Sequence, residues 1–252
     1  MSLPTEWPDH ATYGWRARIG LIVPPTNTAN EAEWQRTVPD GVTVHSARMP
    51  LHAHADGPLR DDDPLVRDLT HAAGQLAQAG VAAIAYGCTA GSMTEPLDAL
   101  PQLIERTTGI PGTTTAASVI AALQHLGARR IAIAAPYGEP LLTHEARFFG
   151  NYFDVANVAG LGIGAGGPHE YVRLRTIAPA LVIALARRAF AGTNADAVFL
   201  ACTDMGSLAV IDVLEADLGV PVVSSNQAQL WTTLRAAGVR ARVGGWGRLL
   251  LS

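Results

Sequence analysis

The sequence predicts an α/β fold of two similar Rossmann-like subdomains with parallel sheets, related by a pseudo-twofold axis, with an active site in the cleft between them. Three observations predict it. Short apolar runs of strand length alternate with helical stretches, a rhythm that builds parallel sheets under helical cover. Three landmarks recur in the same order, about 110 residues apart each time, which marks duplication of a whole unit. The chain's 2 cysteines fall at matching places in the two copies.

The first landmark is Ile19-Gly20-Leu21-Ile22-Val23-Pro24-Pro25, entered through Arg18 and echoed by Ile131-Ala132-Ile133-Ala134-Ala135-Pro136-Tyr137, entered through Arg130. The second pairs Ala85-Tyr86-Gly87-Cys88-Thr89-Ala90-Gly91-Ser92 with Phe199-Leu200-Ala201-Cys202-Thr203-Asp204-Met205-Gly206-Ser207. The third pairs the Gly-x-Pro segments that begin at Gly109 and Gly219 and run into helical stretches.

Each element has its own signal. Residues 18–23 form an apolar strand, a helix begins over 30–35, and 42–48 alternate as a half-buried strand does. Residues 64–79 are helical, with Leu65, Leu69, Ala72 and Leu76 three or four apart, and 81–86 read as the buried strand before Cys88. The second copy continues with strands at 130–134, 156–160 and 197–201 and helices at 141–149 and 178–190. Residues 160–167 come close to G-x-G-x-x-G, but no acidic residue stands at the spacing a dinucleotide site needs, so they are expected to be a flexible loop.

Composition excludes several classes. At 252 residues, 48% hydrophobic and 16% charged, the chain can fill two ordinary cores. All 18 basic residues are arginine, which removes the lysine that a pyridoxal Schiff base or a Gly-Lys-Ser/Thr phosphate loop requires. A net charge of −4 offers no field for nucleic acid, and no apolar run has the length of a membrane span. The polar first 16 residues lack a secretory core, which together with the two thiols leads to a cytoplasmic expectation.

The cysteines carry the chemistry. A strand ending before a turn and a helix sets Cys88 or Cys202 beside free backbone N–H groups and the positive end of a helix dipole, which lowers a thiol pKa. The same N–H groups hold a carboxylate or enolate oxygen. Ordinary core cysteines are the plain alternative, but burial requires no matching turn. In open parallel sheets ligands sit beyond the carboxyl ends of the strands, where Asn27, Cys88, Tyr137 and Cys202 all fall.

Other residues read as structural. His52 and His54, in a polar stretch between Pro50 and Pro58, suit a mobile loop over the cleft better than a metal site. Asp204, on a helix-start turn, reads as the cap of that helix, and Ser92 and Ser207 read as helix caps. The pairs Arg129-Arg130 and Arg187-Arg188 read as solvated faces, and His125, His144 and His169 have no partner that the sequence identifies.

From about residue 18 to the end, the chain resembles the aspartate/glutamate racemase superfamily, most closely its branch of maleate cis-trans isomerases and arylmalonate decarboxylases. The motifs that carry the resemblance are Ile22-Val23-Pro24-Pro25-Thr26-Asn27-Thr28, Tyr86-Gly87-Cys88-Thr89-Ala90-Gly91-Ser92, Ala135-Pro136-Tyr137, Cys202-Thr203 and Gly245-Trp246-Gly247-Arg248-Leu249. The resemblance implies that Cys88 is a nucleophile adding to the substrate double bond and that Cys202 is the proton donor and acceptor. It implies that Asn27 binds a substrate carboxylate, that Tyr137 reaches the same pocket, and that the amides of Thr89, Ala90, Thr203 and Asp204 form oxyanion-binding turns. It also implies lobes made of residues 1–112 with 226–252 and of 113–225, a homo-oligomer of two or more subunits, and no cofactor or metal. In arylmalonate decarboxylases the first cysteine position is glycine, which places Cys88 with the two-cysteine isomerases and racemases. The chain departs from maleate isomerases at Gly166, where they carry a second binding asparagine.

The expected activity is cofactor-independent isomerisation of a small dicarboxylate by a cysteine pair. The alternatives are a two-base amino-acid or hydantoin-type racemase, an arylmalonate decarboxylase-like enzyme and, last, a small-molecule binding protein without catalysis.

Overall fold

The computed structural model describes residues 10–52 and 59–252. The first half runs β1 (Ala17–Val23), α1 (Ala29–Thr37), β2 (Val42–Arg48), α2 (Pro64–Gln78), β3 (Ala83–Tyr86), α3 (Ala99–Thr108), β4 (Gly112–Thr114) and α4 (Thr115–His125). The second runs β5 (Arg130–Tyr137), α5 (Leu141–Gly150), β6 (Asp154–Ile163), α6 (Pro179–Phe190), β7 (Ala197–Leu200), α7 (Ile211–Leu218), β8 (Val222–Ser224) and α8 (Ser225–Ala236). Among the described residues these strands form two parallel four-stranded sheets, ordered β2-β1-β3-β4 and β6-β5-β7-β8.

Register aligns the functional ends. Ile22 of β1 sits opposite Tyr86 of β3, and Ala134 of β5 opposite Leu200 of β7, so Cys88 and Cys202 each leave the carboxyl end of a central strand. β3 and β7 are apolar and buried along their whole length, as expected of a parallel sheet covered on both faces.

Helix amphipathicity decides what covers each sheet. Leu69, Ala72, Ala73 and Leu76 of α2 pack on one face of the first sheet with Ile22 and Ile84. On the other face Trp34 of α1 and Leu230 and Leu234 of α8 pack against Ile19 and Leu21. Each large side chain buried in this way contributes about 1.5–3 kcal/mol. Helix α8 comes after the second sheet but covers the first, whereas α4 comes after the first sheet and lends Ala116, Val119, Ile120 and Leu123 to the core of the second. The two helices meet through polar pairs, Ser118 with Thr232 at 2.5 Å and Thr115 with Gln229 at 3.0 Å.

Two helices go beyond the expected set. Gly109 and Gly219, which read in sequence as the starts of strand segments, end α3 and α7 in the left-handed region at φ 72° and 75°, where glycine carries no Cβ penalty. The glycine-rich stretch 160–167 is also not simply a loop. β6 continues to Ile163, and the turn beyond it is tied by the Glu170 carboxylate, which accepts from the amides of Gly164 at 2.7 Å and Gly166 at 3.3 Å. No helix among the described residues is long and apolar enough to cross a membrane.

Candidate active site

Cys88 and Cys202 are both nearly buried, and a charge on Cys88 raises the pKa of Cys202, so the sulfurs share one electrostatic environment. Tyr137 feels both of them. The Cys88 sulfur accepts from the Gly91 amide at 3.3 Å, and the Tyr86 phenol beside it favours its anion; the Asp204 amide and the Tyr137 phenol do the same for Cys202. Each thiol therefore has one turn amide and one phenol. Cys202 has φ +89°, the one non-glycine residue in the left-handed region among the described residues, a strain of the kind that collects at functional sites.

The ionisation differs from the expectation drawn from the turns. Burial pushes the Cys88 thiol up and the Cys202 thiol up to about 12, outweighing the amide and phenol that favour each anion. The donors expected from the strand ends are present, but for thiols this buried desolvation is the larger effect.

Asn27 and Thr203 stand between the two sulfur-bearing turns. The Asn27 amide donates to the Thr203 hydroxyl oxygen at 2.9 Å, and that hydroxyl donates to the Gly87 carbonyl at 3.1 Å. The Asn27 carbonyl accepts from the Asn30 amide at 3.0 Å, which leaves one N–H of its side chain for a carboxylate. Thr89 bonds Ser225 through its hydroxyl at 2.9 Å. The amides of Thr89, Ala90 and Thr203 have no protein acceptor among the described residues.

Asp204 corrects its expected role. It does not cap the helix after its own turn; its carboxylate accepts from the amides of Thr28 at 2.8 Å and Ala29 at 3.3 Å, at the start of α1 in the opposite half. Glu33 on α1 returns the contact, accepting from the amides of Ser207 at 2.6 Å and Leu208 at 2.9 Å and from the Asn226 side chain at 2.6 Å. Ser207 is therefore capped rather than capping, whereas the Ser92 hydroxyl does cap a helix, accepting from Ala116 at the start of α4. Burial raises the carboxyl pKa of both Asp204 and Glu33, partly offset by these hydrogen bonds.

Sequence reasoning misses Tyr86, Glu33, Asn226 and Tyr171. Tyr86 leaves a signal, since a phenol in an otherwise aliphatic buried strand needs a partner for its hydroxyl. Tyr171, half-buried and electrostatically coupled to both cysteines, arrives from a short 3-10 segment with no repeat signature. His52 bonds Asp68 of α2 at 2.9 Å, whereas His54 lies outside the described residues. His125 packs against Trp231, with ring centroids 4.9 Å apart and the planes tilted by 43°.

Fold and site define a two-lobed α/β protein with a cysteine at the facing end of each sheet, of the aspartate/glutamate racemase-like kind. The model of the arylmalonate decarboxylase family matches residues 19–250, and the chain belongs to that family. It is 30% identical to the arylmalonate decarboxylase of Bordetella bronchiseptica, over 92% of this chain and 95% of that one. It is 29% identical to the maleate isomerase of Geobacillus stearothermophilus, over 92% and 96% of the two chains. A crystal structure of a variant of the maleate isomerase Iso from Pseudomonas putida S16 with maleate superposes with a TM-score of 0.80 at 25% identity, covering 93% and 97%. These relatives are enzymes, of isomerase and decarboxylase type.

Proposed function

We propose that the protein is a cofactor-independent cis-trans isomerase of a small dicarboxylate of the maleate type, with Cys88 as nucleophile and Cys202 as acid and base. The observation that carries this reading is the pair of sulfurs, each with a phenol and a turn amide that favour its anion, on two strand-end turns joined by the Thr203–Gly87 hydrogen bond. Cys88 supports isomerisation over decarboxylation, because the arylmalonate decarboxylases this chain resembles have glycine there.

The reacting form has one proton between the two sulfurs. Cys202 keeps it, since burial holds that thiol at about 12, and Cys88 ionises first. The Cys88 thiolate adds to one alkene carbon, and the π pair moves to the other carbon and onto its carboxylate. The free amides of Thr89, Ala90 and Thr203 and the remaining Asn27 N–H suit that developing charge. Cys202 gives its proton to the carbanion carbon, leaving a saturated thioether and a Cys202 thiolate. The former double bond rotates, Cys202 takes a proton back, and the C–S bond breaks to release the trans acid and the Cys88 thiolate.

Proton NMR of maleate incubated with the protein tests this directly, with fumarate as the expected product and Cys88→Ala abolishing it. Release of CO2 from an arylmalonate without fumarate formation would assign decarboxylation. Solvent deuterium at the alpha carbon of an amino acid or hydantoin, again without fumarate, would assign two-base racemisation. Turnover that survives Cys88→Ala overturns the proposal.

A further inference from the structure

The two halves do not hold their sulfurs in the same way. Tyr137 lies on β5 and favours the Cys202 anion from the neighbouring strand, whereas Tyr86 is the last residue of β3 and does so for the sulfur only two residues further along its own chain. Tyr86 has no counterpart in the repeat, where Leu200 takes the equivalent place at the end of β7. Its ring is 1% exposed and it ends a strand of Ala83, Ile84 and Ala85, all fully buried. A phenol placed there brings a hydroxyl into a core that could have been filled by leucine.

Gly91 shows what the hydroxyl is for. A Cβ on Gly91 would stand 2.3 Å from the Tyr86 oxygen and 3.2 Å from the Cys88 sulfur, so both atoms converge on the bare face of this glycine. The Gly91 amide donates to the same sulfur at 3.3 Å. Any side chain at this position would collide with the phenol and prise it from the sulfur. Gly91 has no positive φ to explain its choice, which leaves the close approach as the reason.

We infer that Tyr86 is a catalytic residue: its hydroxyl and the Gly91 amide form a two-donor cradle that stabilises the anion of Cys88. Charge-assisted hydrogen bonds of this kind are the strong ones, and Cys202 has its own separate pair of donors. Cys202 has a matching pair of donors but also the Asp204 carboxylate and the Cys88 charge beside it, both of which raise it further, so the cradled Cys88 ionises first. This inference rests on the proposal that Cys88 is the nucleophile.

The test compares the alkylation rates of Cys88 and Cys202 by iodoacetamide in one molecule, resolved by peptide mass spectrometry between about pH 7 and 9, where thiolate fraction sets the rate. Cleft opening affects both cysteines, so their ratio cancels it. In Tyr86→Phe the Cys88 to Cys202 ratio is expected to fall roughly ten-fold, and in Tyr137→Phe to rise, as expected for loss of one hydrogen bond to a charged group. Gly91→Ala, which keeps the phenol but displaces it, is expected to lower the ratio as Tyr86→Phe does. It serves as the second variant if Tyr86→Phe does not fold, as read by circular dichroism. An unchanged ratio in Tyr86→Phe, or in Gly91→Ala where that variant stands in, overturns the inference. Alkylation needs no substrate, so a shifted ratio without maleate turnover leaves the cradle standing while the proposed reaction fails, and turnover with an unchanged ratio does the reverse.

Discussion

The hydroxyl of Thr203, the residue after Cys202, donates to the carbonyl of Gly87, the residue before Cys88, at 3.1 Å. One hydrogen bond thus joins the two sulfur-bearing turns directly, and Asn27 steadies it by donating to the same Thr203 oxygen at 2.9 Å. Thr203→Val keeps the shape but leaves the Gly87 carbonyl and an Asn27 N–H buried without partners, a cost of about 1–3 kcal/mol. Urea unfolding is expected to show that loss, together with reduced turnover, and Thr203→Ser to restore most of both. A valine variant as stable and active as the parent would show that the turns are positioned by something else.

Asp204 and Glu33 form a reciprocal clamp, each accepting from the first amides of an element in the opposite half. Asp204→Ala removes the acceptor for Thr28 and Ala29 and is expected to destabilise by about 1–3 kcal/mol, and Asp204→Asn, which keeps a carbonyl acceptor, by less. Chemical denaturation of both variants checks the order. Equal losses would mean that the negative charge at the start of α1, rather than the hydrogen bonds, is what matters.

The repeat makes much of this legible in the sequence. Matching apolar runs with matching cysteines reveal the two sheets, their strand ends and the pairing of Cys88 with Cys202, because a parallel strand buried on both faces has an unmistakable composition. Helices α3 and α7 escape because Gly109 and Gly219 read as the openings of the next strands, although each caps the helix before it. Tyr86 and Glu33 escape because they have no partner in the repeat and act across turns or between halves. Asp204 reads with its own helix for the same reason: local capping is visible in sequence, and capping from the opposite half depends on how the halves meet.

Glu145 on α5 is fully buried, neither carboxyl oxygen has a hydrogen bond among the described residues, and burial raises its pKa from 4.5 to about 8. The folded state therefore holds a proton that the unfolded state has already released between those values. Stability from this group is complete below the unfolded value and is lost as pH rises toward about 8. The slope is on the order of 1 kcal/mol per pH unit. Glu145→Gln removes the titration, so melting temperatures measured across this range should fall with pH in the parent and stay flatter in the variant. Identical slopes would show that Glu145 is hydrated or paired in solution.

The raised thiols fix the sign of the pH dependence of catalysis. Burial raises both, Cys202 to about 12, so at neutral pH the resting cleft holds two neutral thiols and little of the reactive Cys88 thiolate. Below the Cys88 pKa, kcat/KM for maleate should rise about ten-fold per pH unit, because that parameter tracks the ionisation of the free enzyme. No fall should appear on the alkaline side until Cys202 begins to lose its proton, well above the working range. Cys202→Ser keeps a proton donor, but one whose anion is far harder to form, so turnover should drop by roughly 10²–10⁴ while Cys88 alkylation persists. A profile already flat at neutral pH would mean that Cys88 ionises at its ordinary value or below, and that water or substrate reaches the cleft more freely than its burial indicates.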